Sequence, residues 1–105
     1  MADKPLYQDE KLRIDYHPNT VVDHILYIKE EMGREANYVI PRGILEELAK
    51  TKRGGIEGKI VNFNADILHA IEVEGIGIDG LHVALCQAYE EQERRYITDT
   101  KDRLI

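Results

Sequence analysis

The 105-residue chain contains no serine, a single cysteine and only three prolines. Without serine there is no G-x-S-x-G elbow, and a hydroxyl nucleophile would have to be one of the few threonines. The lone Cys86 can form neither an internal disulfide nor a C-x-x-C pair. It falls inside an apolar helical pattern and reads as a small core residue rather than a reactive thiol. No stretch approaches 18 consecutive apolar residues, so none is read as spanning a membrane. The opening Met-Ala-Asp-Lys-Pro has no apolar run behind its charges, so no signal peptide is read there. These absences lead to the expectation of a cytoplasmic protein. Basic residues are also in the minority, with 14 Lys and Arg against 20 Asp and Glu, a formal charge of −6. Binding to polyanions draws on Lys and Arg that displace counterions. Nucleic acid and anionic membrane are therefore not expected partners, whereas a divalent metal or a basic protein surface is compatible.

What is present suits one small domain: 43% hydrophobic and 32% charged residues, with enough Ile, Leu and Val to form a core. Residues 1–18 are polar, carry Pro5 and Pro18, and contain one alternating run, Leu12-Arg13-Ile14-Asp15-Tyr16. That run reads as a short strand or an arm that packs on a partner. Since one strand is not a sheet, the expected class stays all-α.

A first helix is expected from Thr20, where Thr20-Val21-Val22-Asp23 has capping-box spacing. Val21, Val22, Ile25, Ile28 (or Leu26) and Met32 follow at intervals of three and four, and Gly33 stops it. Asn37–Ile40 reads as extended because it precedes Pro41. A second helix over 41–52 starts on that proline and buries Ile44, Leu45 and Leu48. The third helix, with Ile60, Val61, Phe63, Ile67, Leu68 and Ile71, is apolar on most sides and is expected at a bundle centre or in a subunit interface. Asp79 caps a fourth helix carrying Leu81, Ala84, Leu85, Ala88 and Tyr89, followed by a charged run and a tail over 97–105. The glycines at 54–55 and at 75, 77 and 80 read as helix ends. The expected architecture is thus a bundle of about four helices over 20–96, preceded by an extended arm and oligomeric.

The residues able to carry chemistry are mainly carboxylates on helices: Glu30, Glu31 and Glu35, then Glu46 and Glu47, then Asp66 with His69 and Glu72. Bundles make magnesium sites by pointing such acids inward. Of these acids, Glu30, Glu31, Glu46 and Glu47 read first as a solvated face. Asp66 stands in the most apolar helix, where an unpaired carboxylate costs several kcal/mol. His24, His69 and His82 read as hydrogen-bonded core or boundary histidines. Arg94 and Arg95 suit either a phosphate or the glutamates one turn earlier.

The stretch Glu57-Gly58 … Ala65-Asp66-Ile67-Leu68 … Gly77-Ile78-Asp79 … Ala84-Leu85 … Arg95-Tyr96 resembles the third and fourth helices of MazG-like, all-alpha nucleoside triphosphate pyrophosphohydrolases, particularly the small phage and bacterial forms. The resemblance spans about 40 of the 105 residues. It implies magnesium held by Asp66 with Glu46 and Glu47, Arg95 at a substrate phosphate, and assembly as a dimer or tetramer. The sequence departs from that family's motif at Phe63, where an acid is expected. It departs again at Ala88 and Gln92, where lysine and asparagine are expected, and at Lys50, which displaces the last acid of E-E-x-x-E. A lost metal ligand disables such chemistry.

Two functions follow as expectations. One is a small helical interaction or regulatory protein, of a phage or mobile-element kind, binding a protein partner or a small nucleotide without catalysis. The alternative is a magnesium-dependent MazG-like hydrolase, or an inactive nucleotide-binding relative of one.

Overall fold

Leu12 and Ile14, and again Leu26 and Ile28, are buried at alternate positions, and the described residues from 7 to 40 fold as a sheet. The structure, a computed structural model, describes residues 4–15, 24–41 and 43–104, without the side chains of Arg53 and 96–104. Four strands, β1 (Tyr7–Gln8), β2 (Leu12–Asp15), β3 (His24–Lys29) and β4 (Glu35–Ile40), form an antiparallel meander in chain order. The register pairs Leu12 with Ile28 and Ile14 with Leu26, and it continues to β4 through Ile28–Ala36 and Leu26–Tyr38. Because side chains alternate across a strand, Leu12, Ile14, Leu26 and Ile28 all fall on one face, and all are buried. The other face carries Arg13, Tyr27, Asn37, Ile25 and Val39. There the Arg13 guanidinium lies 4.0 Å from the Tyr27 ring centroid and pairs with Asp15 at 3.1 Å and Glu35 at 3.0 Å.

Four helices cover the buried face: α1 (Ile44–Lys50), α2 (Ile56–Asn64), α3 (Asp66–Val73) and α4 (Gly77–Leu104), with a 3₁₀ turn at Arg53–Gly55. They contribute Leu45 and Leu48, Ile56 and Ile60, Ile67 and Ile71, and Leu81, Ala84, Leu85 and Ala88 to one core shared with the sheet. Each fully buried Leu or Ile side chain stabilises by roughly 1.5–3 kcal/mol relative to exposure. The fold is therefore an α+β two-layer structure.

This corrects the expected all-α helical bundle. The helix placed from Thr20 to Met32 is instead strand β3 and the turn after it; its capping box, Thr20–Asp23, lies outside the described residues. The spacing of Ile25, Ile28 and Met32 was coincidental with a helical stripe, and Met32 is 91% exposed. Within β3 the buried residues are the alternate ones, Leu26 and Ile28. The Leu12–Asp15 alternation forms an inner strand of the sheet, paired on both sides. Extended backbone at Asn37–Ile40 belongs to β4 as expected. The second helix starts three residues after Pro41, with Gly43 as its N-cap. The expected single third helix is two, broken at Ala65. Asn64 Oδ1 accepts the Asp66 N–H at 3.0 Å, a side-chain bond in place of the one a continuous helix would make to the Asn62 carbonyl. Each half then needs only one apolar face, Ile56 with Ile60 and Ile67 with Ile71. The last segment, expected as a tail, continues α4 as helix to Leu104. No helix among the described residues is long and apolar enough to cross a membrane.

Candidate functional site

The acids singled out in the sequence do not meet. Glu46 pairs with Lys50 at 2.7 Å and accepts a hydrogen bond from Tyr89 Oη at 3.3 Å. The Lys50 hydrogen bond and charge, with the Tyr89 bond, hold its carboxyl below the ordinary value. Glu47 pairs instead with Lys59 of α2 at 2.6 Å. Asp66 is exposed in the first turn of α3, where an acid suits the helix dipole. Among the described residues no three His, Cys, Asp or Glu side chains converge as a metal site. Arg95 donates from Nε to Glu91 at 2.8 Å and from its two terminal nitrogens to the Lys4 and Pro5 carbonyls at 2.8 and 3.1 Å. It thus ties the start of the chain to α4. His69 is exposed. His24 Nε2 bonds Gln92 Oε1 at 2.6 Å, joining β3 to α4. His82 is half-buried, and its Nε2 has no partner among the described residues. The Cys86 thiol donates to the Ala49 carbonyl at 3.5 Å, and burial, with Glu90 nearby, pushes its pKa up. A raised pKa makes it a poor nucleophile.

Among the described residues a cleft lies elsewhere, between the β1–β2 turn and the corner joining α3 to α4, with a volume of ≈ 670 Å³. Its first wall is built by Asp9. The Asp9 carboxylate accepts the Lys11 and Leu12 amides, both at 2.8 Å, and also the Tyr7 hydroxyl, while the Asp9 N–H donates to the Leu12 carbonyl at 2.8 Å. An aspartate bonding backbone N–H groups two and three residues on is a turn-forming device. Burial opposes its charge, yet the bonds from Tyr7, Leu12 and Lys11 outweigh that and lower the pKa. The hydrogen bond to Asp9, then burial and the neighbouring charge, raise the Tyr7 phenol to about 12.

The second wall is a helix end. The Ile76 N–H bonds the Ile71 carbonyl at 2.8 Å and the Gly75 N–H bonds Glu72 at 3.1 Å. With Gly75 at φ +72°, this is a Schellman termination, and apolar residues stand at its characteristic contact positions, Ile71 and Ile76. It brings Glu74 over the cleft, where its side chain is only 10% exposed and pairs with Lys11 of the opposite wall at 3.3 Å. Asp79, Gly80 and Val83 of α4 complete the lining. Among the described residues the lining combines the apolar Leu12, Ile76 and Val83 with the acids Asp9, Glu10, Glu74 and Asp79 and the ammonium of Lys11. A smaller recess of ≈ 420 Å³ on the other side of the same turn includes Arg13 and Lys29 and is balanced in charge.

Sequence reasoning missed this cleft. Its one local signal is the spacing Gly75-x-Gly77-x-x-Gly80, which in dinucleotide-binding folds joins a strand to a helix and cradles a pyrophosphate. Here it joins helix to helix beside an antiparallel sheet, with Glu74 and Asp79 at its ends, a setting that disfavours an anion. Comparison with protein-family models, curated proteins and solved structures finds no match to this chain.

Proposed function

We propose that the protein is a non-catalytic interaction module that docks a basic segment of a protein partner in the cleft between the β1–β2 turn and the α3–α4 corner. The observation that supports this reading most is a lining that sets Leu12, Ile76 and Val83 beside an acidic excess, four carboxylates to one lysine among the described residues. A peptide that places an aliphatic side chain on Leu12, Ile76 and Val83 and a lysine or arginine beside Glu10 complements both. Charge complementarity speeds encounter and selects partners, while the apolar contact supplies affinity. The carboxylates available to a metal-dependent reaction are paired with lysines or exposed, so the pyrophosphohydrolase alternative has no comparable support.

The test is a titration of the 15N-labelled protein with lysine-rich and arginine-rich peptides carrying apolar spacers, alongside acidic peptides of equal length. Shifts confined to Tyr7, Leu12, Gly80 and Val83, salt-sensitive and reduced by Glu10→Lys, are expected for the basic peptides only. Shifts scattered over the surface, or equal for acidic peptides, would refute the reading. Magnesium-dependent release of pyrophosphate from a nucleoside triphosphate would replace it with the alternative.

A further inference from the structure

The two edges of the sheet are unequal. At one, β1 is two residues long and packs beside α4. At the other, β4 presents six residues, paired with β3 in unbroken register without a bulge. Which backbone groups face outward follows from two hydrogen bonds. Lys29 N–H bonds the Lys11 carbonyl at 2.8 Å and Glu30 N–H bonds the Arg34 carbonyl at 2.7 Å. In an antiparallel ladder the bonding direction alternates residue by residue. Odd-numbered residues of β3 therefore bond β2 and even-numbered ones bond β4. In turn Ala36, Tyr38 and Ile40 of β4 bond inward, while Glu35, Asn37 and Val39 direct their N–H and C=O groups away from the sheet. All three are exposed, Val39 by 52%, and no backbone group among the described residues bonds them on that side.

Natural edge strands are usually blunted by lysine, proline, a bulge or an inward charge. β4 has none of these; its only charged residue is Glu35, and that carboxylate pairs at 3.0 Å with Arg13 of its own chain, which it shares with Asp15.

We infer that β4 is a pairing edge for β4 of a second copy of this chain, antiparallel about a two-fold axis through Asn37. The occupant is chosen by self-complementarity. The three outward residues are symmetric about Asn37, so Asn37 pairs with its own image and Glu35 with Val39 of the partner, giving six main-chain hydrogen bonds. An asparagine side chain, being donor and acceptor at once, can bond its own image. Between these pairs, Ala36 stands opposite Tyr38 of the partner, small against large, on the helix-bearing face. No like charges stand opposite one another, the arrangement that would oppose pairing. The product is a continuous eight-stranded sheet. It leaves the cleft free, since the cleft lies at the β1 side.

The test is sedimentation velocity of the full chain over a wide concentration range, with two variants. Asn37→Pro removes the central outward N–H and no inward one, and an edge strand tolerates proline at such a position. Asn37→Lys leaves the backbone intact and sets two ammonium groups against each other at the axis. The wild type is expected to form a dimer, and each variant to weaken it at least about tenfold. Amide exchange at Glu35, Asn37 and Val39 should slow as wild-type concentration rises, and should not in Asn37→Lys. A wild type monomeric throughout overturns the inference, and so does a dimer that Asn37→Lys leaves unchanged. Should Asn37→Pro fail to fold, Asn37→Lys decides alone.

Discussion

Gly75 and Gly54 offer a test in which two similar substitutions should move stability in opposite directions. A Cβ built at either position meets no atom within 4 Å, so crowding is equal and absent. The backbones differ. Gly75 holds φ +72°, whereas Gly54 has no positive φ. Gly75→Ala therefore forces an L-residue into the left-handed region, at a cost of about 1–2 kcal/mol. Gly54→Ala narrows the unfolded ensemble and should stabilise by about 0.4–1 kcal/mol. For a chain of this size each kcal/mol moves the melting temperature by about 4–8 °C, so the two variants should separate clearly in thermal and urea unfolding. Gly75→Asn should recover part of the loss, because asparagine tolerates that region better than alanine. Since Gly75 sets the corner that carries Glu74, Gly75→Ala should also weaken the Lys11–Glu74 pairing across the cleft, read as a shift in the Glu74 carboxyl resonance. A Gly75→Ala variant as stable as wild type, or an asparagine variant no better than alanine, would refute the helix-end assignment.

Other outcomes follow from the same contacts. Asp9 has a lowered pKa in the fold, so its contribution is complete above the unfolded value near about 4. That contribution disappears as pH falls through the lower folded value, because the unfolded state binds more protons in that window. Urea unfolding across this range should show a shallower pH slope for Asp9→Asn, whose side-chain oxygen still accepts the turn bonds. Ile60→Ala, at a fully buried position joining α2 to the sheet layer, should cost about 2–5 kcal/mol in the same assay. Arg95→Ala should raise amide exchange around Lys4–Leu6 by releasing two carbonyl bonds; unchanged exchange there would count against the tie to α4. Cys86 should react with iodoacetamide more slowly at neutral pH than a free thiol, and at the ordinary rate once unfolded.

Much of the helical half was legible because it depends on local chemistry. The apolar spacing of Leu81, Leu85 and Ala88 specifies an amphipathic helix wherever it packs. Gly75 marks a helix end, and the glycines at 75, 77 and 80, expected as helix ends, stand at the α3–α4 corner despite their G-x-G-x-x-G spacing. The break at Ala65 also had a local signal in Asn62, Asn64 and Asp66, residues that compete for backbone hydrogen bonds. The β half was obscured because Ile25, Ile28 and Met32 fit a helical interval while Leu26 and Ile28 fit a strand. Periodicity alone cannot choose between them over six residues. The surroundings of Asp66 were hidden for a related reason: the helix carrying it looked buried on most sides, and its division in two leaves Asp66 exposed.

Composition and charge by themselves determined an acidic chain with no serine chemistry and no internal disulfide, since those properties need no knowledge of neighbours. The tertiary structure alone decided that β2 and β3 pair, because a strand's stability resides in hydrogen bonds to a segment distant in sequence. It also decided where the cleft lies. Asp9 and Glu74 are 65 residues apart in the chain, and only the sheet's register and the α3–α4 corner set them on opposite walls.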